Sequence, residues 1–155
     1  MSSIDPQRPD VVAFMAEASA TLNRHLPSPK DVFSFGDDDA RLNDSLLALV
    51  LDGKKTGTAT FPIPEPLHWG PGDYAVVVDS KGRPRAVIRT VSFARCPFKD
   101  VTEDFALSEA EGDYDTWRKS HIWFWKDNQG EADFSEESIV LCERFELVYP
   151  KASAA

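Results

Sequence analysis

The chain has 155 residues, 42% hydrophobic and 28% charged, with a net charge of −9. That length suits one domain with a proper core, and the acidic balance argues against indiscriminate binding to nucleic-acid phosphates. The longest uninterrupted apolar run, LLALVL at 46–51, falls far short of the roughly 20 residues of a membrane helix.

The opening residues, MSSIDPQRPD, have neither the basic start nor the apolar stretch of a signal peptide, so a cytoplasmic location is expected. Residues 9–25 are predicted helical. Pro9 suits a first turn, Val11, Met15, Ala18 and Leu22 recur at three and four residues, and LPSP at 26–29 stops the helix. Asp37, Asp38 or Asp39 is placed to cap a second helix with Leu42, Leu46, Leu49 and Val50 on its apolar face. Gly53 stands where that helix needs a left-handed end.

A strand follows, with Thr56, Thr58 and Thr60 alternating onto one face, until FPIPEP breaks it. GPGD turns into the buried strand YAVVV, and SKGR turns into a long strand over 84–95. Residues 101–110 and 113–126 read as two helices, the second with Trp117, His121, Phe124 and Trp125 at helical spacings. A strand over 138–149 closes the fold, with Val140, Cys142 and Arg144 on one side and Leu141, Glu143 and Phe145 on the other. Short strands wrapped by three or four helices predict an α+β fold with a small barrel. Cys96 and Cys142 lack metal-ligand spacing and read as buried thiols of a reducing compartment.

Charge is unevenly distributed. Residues 80–99 hold Lys81, Arg83, Arg85, Arg89, Arg95 and Lys99 and no acid; residues 100–115 hold seven acids and no base. This is either a solvated surface or a polarised site. No cluster has the spacing of a metal site, and no glycine-rich phosphate loop is present. No metal or cofactor is expected.

Three blocks in order, FSFGDDDARLNDSLLALVLDGKKTGTAT, GPGDYAVVVDSKGRPRAVIRTVSF and CPFKDVTEDFALSEAEGDYDTWRKSHIWFW, resemble the ASCH domain, a family of the PUA-like superfamily. The likeness covers roughly residues 33–148. The family pattern Gly-x-Lys-x-x-Thr-x-Arg falls on Gly53, Lys55 and Thr58, with Thr60 where many members have Arg. The resemblance implies a small PUA-like β-barrel flanked by helices, over residues 31–150. It leaves an extra N-terminal helical extension, 1–30, and a short tail, 151–155, outside. It also implies a cleft for RNA or a nucleoside, and either a metal-independent ribonuclease or an amidohydrolase acting on acetylcytidine. The runner-up is a non-catalytic RNA-binding or ligand-sensing module. The oligomeric state stays open, a homodimer included.

By that resemblance the catalytic groups are Lys55, Thr58 and a carboxylate, either Glu109 or Glu111, with Glu111 preferred because it opens EGD. A threonine hydroxyl needs a neighbouring base, and lysine serves as one only when burial or a second cation lowers its pKa. A glutamate would orient it and pass a proton to the leaving group. Ribonuclease chemistry would instead draw on Lys55, His121 and Arg118. Lys54, Thr60, Arg83, Arg85, Arg89, Glu109, Asp113, Trp117, Arg118 and His121 complete the expected substrate-binding set, with Trp69 and Trp123 as candidates for stacking on a base. Each has an ordinary alternative: Lys55 as a helix-end cation, Asp113 as a helix cap, and Trp117 with His121 as a core stripe.

Overall fold

The computed structural model describes residues 4–36 and 39–152. Helix α1 spans Pro9–Leu22 and buries Val11, Met15 and Ala18. It ends three residues before the expected position because Asn23 turns left-handed at φ 53°, a conformation that asparagine tolerates better than most residues. Strand β1, Asp31–Phe33, was not foreseen; three residues are too few to display alternation. Helix α2, Ala40–Leu51, starts where the Asp39 carboxylate accepts the Leu42 N–H at 3.1 Å. The other proposed caps, Asp37 and Asp38, lie outside the described residues.

The remaining strands are β2 (Gly57–Thr60), β3 (Tyr74–Val78), β4 (Pro84–Pro97) and β5 (Ile139–Tyr149). Between the last two lie α3 (Glu103–Ser108) and α4 (Tyr114–Ile122). The helix expected over 113–126 is therefore interrupted: α4 passes into a π-helical turn, Trp123–Asn128.

The sheet order is β1-β3-β4-β5-β2, with β1 parallel to β3 and every other pair antiparallel. The expected closed barrel is thus corrected to an open, five-stranded mixed sheet. β1 and β2 occupy opposite edges and do not pair. One face carries Ala75, Val77, Ala86, Ile88 and Phe145 under Leu46, Leu47 and Val50 of α2. The other carries Val76, Val78 and Val87 under α1. Farther along, this second face packs Val140 and Cys142 against Phe105, Trp117 and Trp125. With both faces covered, β5 is buried at 140–143 and at 145 rather than alternating. Cys142 is buried but Cys96 is half-buried, which corrects the expectation that both thiols are enclosed.

Candidate functional site

The link from α2 to β2 sets the position of Lys55. Gly53 takes φ 75°, and the N–H groups of Lys54 and Lys55 both donate to the Leu49 carbonyl, at 2.9 and 3.1 Å, closing the helix end. The next N–H, of Thr56, donates to the Ser108 carbonyl at 2.8 Å. That bond ties the end of α3 to the start of β2. Glycine at 57 leaves room for this approach, because a Cβ there would sit 2.2 Å from the Ser108 hydroxyl, which would have to turn away. The residue after Ser108 is Glu109, so this close approach brings Glu109 to Lys55 across 54 positions of sequence.

Lys55 is only 2% exposed, and Glu109 is 1% exposed. The Lys55 ammonium donates to Glu109 Oε1 at 3.1 Å and to Glu111 Oε2 at 3.3 Å, and lies 5.2 Å from the centre of the Phe35 ring. Glu109 Oε2 accepts the Trp117 indole N–H at 2.8 Å and faces His121 Nε2 at 3.5 Å. His121 Nδ1 lies 2.8 Å from the Trp117 carbonyl. A carbonyl only accepts, so Nδ1 carries a proton.

These surroundings separate the two carboxylates. Burial alone would raise the Glu109 carboxyl, but the charges of Lys55 and His121, with the His121 and Trp117 hydrogen bonds, hold it down at about 2. Glu111 moves the other way. Burial raises it, the Lys55 charge opposes this, and the Glu109 charge raises it again. For His121, burial favours the neutral ring, but the Glu109 charge and hydrogen bond prevail and its pKa is raised. Glu109 is therefore a fixed anion. Glu111, with a side chain 21% exposed on a turn flanked by left-handed Ala110 (φ 59°) and Gly112 (φ 101°), is the more open of the two carboxylates.

Ligand atoms of Glu109, Glu111 and His121 lie within 4.8 Å of one another, a spacing that suits a cation. Both carboxylates already accept from the Lys55 ammonium, so a metal would have to displace a buried cation from its partners.

The other expected site residues are scattered. Thr58 and Thr60 are half-buried on β2, opposite Glu143 and Leu141 of β5; neither touches the Lys55 cluster by an ion pair or hydrogen bond among the described residues. Lys54 is exposed. Trp117 is wholly buried and serves Glu109 rather than the surface. Asp113 caps α4, accepting the Thr116 N–H at 2.8 Å. Arg118 pairs with Glu136 and lies over the Phe98 ring at 5.1 Å. Arg83 and Arg85 both pair with Asp79, at 2.9 and 3.7 Å, and Arg89 pairs with Glu146 at 3.5 Å. These three arginines of the basic strip are thus paired with acids, Arg83 and Arg85 with the adjacent Asp79 and Arg89 with Glu146 of β5. Of the two stacking candidates, Trp69 is half-buried and Trp123 is 55% exposed.

Two participants escaped sequence reasoning. Phe35 gives no polar signal. Glu143 does give one: it is an acid inside the otherwise buried run VLCERF.

A buried lysine held between two glutamates is thus the polar centre of an open α+β sheet, and its ASCH neighbours support a PUA-like fold. The family comparison is specific: the chain belongs to the ASCH domain family, whose model matches residues 31–149. Protein EF3133 from Enterococcus faecalis V583 is similar in structure, with a TM-score of 0.76 and 26% identity over 94% of this chain and 98% of that one. An ASCH domain from Lactobacillus crispatus JV V101 is also similar, with a TM-score of 0.69 and 26% identity over 77% of this chain and 80% of its own. A search of curated proteins returns no match. Among the described residues, no helix is long and apolar enough to cross a membrane.

Proposed function

We propose that this protein binds RNA or a nucleoside and acts on it as a metal-independent hydrolase, with Lys55 and Glu111 as the working pair. The observation that carries this reading is the buried Lys55 ammonium held by two carboxylates in opposed environments. Two acids whose surroundings push their pKa values apart divide naturally into a fixed charge and a proton-exchanging group. Glu109 anchors the lysine. Glu111 takes and returns the proton. Lys55 stabilises negative charge on a phosphoryl or acyl oxygen once Glu111 turns toward the ligand. Membership of the ASCH family supports RNA as the ligand class. Because Thr58 stands apart from the cluster, the nucleophile in this reading is water rather than a threonine hydroxyl.

The test is an assay of purified protein against acetylcytidine and a mixed RNA, with and without EDTA. Turnover that persists in EDTA and vanishes in both Lys55→Met and Glu111→Gln supports the reading. Turnover that EDTA stops and Mg²⁺ restores overturns the metal-free chemistry. Binding of RNA without turnover of either substrate leaves the family's binding role and removes the hydrolase.

A further inference from the structure

Glu143 is a buried acid that the Lys55 chemistry does not use. It is 6% exposed, and no lysine, arginine or histidine pairs with it among the described residues. Its two oxygens receive one neutral donor each. The Trp69 indole N–H donates to Oε1 at 3.2 Å, and the Thr90 hydroxyl donates to Oε2 at 2.6 Å. A carboxylate offers about four acceptor sites, so each oxygen keeps one in hand. Burying a carboxylate without a cation is costly, and the fold would avoid that cost by placing a neutral side chain at 143.

The surroundings show what would complete it. Glu143 pairs in register with Phe93 on one side and Thr58 on the other, so these three side chains form one row across β4, β5 and β2. The next row on the same face is Arg95, Leu141 and Thr60. Phe93, Thr58 and Thr60 are half-buried, and the Trp69 ring meets Phe93 edge-on at 5.7 Å. Two residues along β5 on this face is Phe145, which stacks on Phe35 at 6.0 Å, and Phe35 lies under the Lys55 ammonium. The row and the Lys55 cluster therefore lie on the same face of the sheet, joined through the buried Phe145 and Phe35.

We propose that this row is a guanine-binding subsite, with Glu143 receiving the base's edge. Resting on the RNA or nucleoside reading above, it goes further by naming the base. Two adjacent free acceptor positions on one carboxylate match two adjacent N–H donors on a planar group. Guanine presents that pair as its ring N1–H and its 2-amino group; adenine, cytosine and uracil do not. Trp69 and Phe93 provide aromatic surface for the ring, and Arg95, paired among the described residues only with the exposed Glu65 at 3.6 Å, is placed to take a phosphate. A guanidinium has the same donor pair, but it needs no stacking surface and would be repelled by Arg95.

The experiment is calorimetric titration of the full chain with the 5′-monophosphates of guanosine, inosine, adenosine and uridine, with free arginine and with a short mixed RNA. Inosine lacks only the 2-amino group. The guanosine nucleotide should bind about ten- to hundredfold more tightly than the inosine one, the range a bidentate base contact supplies. Glu143→Gln, which keeps one acceptor but replaces the other with a donor, should erase that preference. A wild-type measurement guards against misfolding of the variant: the Trp69 indole N–H resonance should move on addition of the guanosine nucleotide. Equal binding of the guanosine and inosine nucleotides, an unmoved indole resonance, a preference retained by a folded Glu143→Gln, or arginine binding as tightly overturns the guanine subsite. RNA binding without guanine preference overturns this inference alone. Binding of no nucleotide and no RNA overturns the ligand class as well.

Discussion

Replacing Lys55 with methionine keeps most of the side chain's length and removes its charge. Glu109 then remains buried beside Glu111, with His121 as its only cationic neighbour among the described residues. Breaking a buried ion pair from one side typically costs about 3–5 kcal/mol. The site gives a compatible figure. Holding the Glu109 carboxyl at about 2 against the opposing effect of burial, where the ordinary value is 4.5, corresponds to about 3 kcal/mol at about 1.36 kcal/mol per pH unit, a net figure to which Lys55 contributes the largest favourable charge and His121 and Trp117 the rest. The pH dependence follows from the sign of this shift. A depressed carboxyl stabilises the fold fully above its unfolded value of 4.5 and loses that contribution as pH falls toward about 2. Urea unfolding of wild type and Lys55→Met should therefore differ by about 3 kcal/mol at pH 7. The difference should shrink as pH falls toward about 2, because Glu109 of the variant, without the Lys55 charge, takes up its proton at higher pH than that of wild type. A variant as stable as wild type at pH 7, or a difference that does not change with pH, would refute the electrostatic account of the cluster.

The two glutamates should separate cleanly. Glu109→Gln should destabilise the fold by about 3 kcal/mol or more, because Lys55 and His121 lose their shared anion in the interior; Glu111→Gln should leave the melting temperature nearly unchanged while abolishing turnover. Differential scanning calorimetry beside the activity assay reads both, and equal destabilisation by the two changes would count against the division of roles. His121 has a raised pKa, so its contribution is complete below its unfolded value of 6.5 and disappears as pH rises through the folded one. Chemical denaturation from pH 6 to 9 should show a decline that His121→Gln flattens; parallel curves would mean the ring is not titrating against Glu109. Asp113→Ala should cost about 1 kcal/mol, the usual loss for a helix cap, with no change in substrate affinity, and a loss of binding without destabilisation would return Asp113 to the site.

Much of the local architecture was readable along the chain because it depends on neighbours in sequence. Pro9 and the apolar spacing behind it specify α1, Asp39 and Gly53 bracket α2, and Asp113 starts α4. The Gly-x-Lys-x-x-Thr pattern and the EGD segment likewise singled out Lys55 and Glu111, and the two do meet at 3.3 Å. Tertiary structure decided the rest. Glu109 and Glu111 are two residues apart and both acidic, and nothing in their immediate sequence says that one is sealed beneath Trp117 and the other left one-fifth exposed. Whether the sheet closes depends on β1 and β2, two short edge strands with no neighbour signal for each other. Arg83 and Arg85 are met by Asp79 at the start of their own turn, a pairing local in sequence, whereas Arg89 meets Glu146 only once β4 and β5 align. Glu143 is plain in the sequence, but that no cation pairs with it among the described residues is a property of the strands around it. Sequence fixes which groups carry charge and how the backbone turns near them; burial and long-range register set their pKa values and their partners.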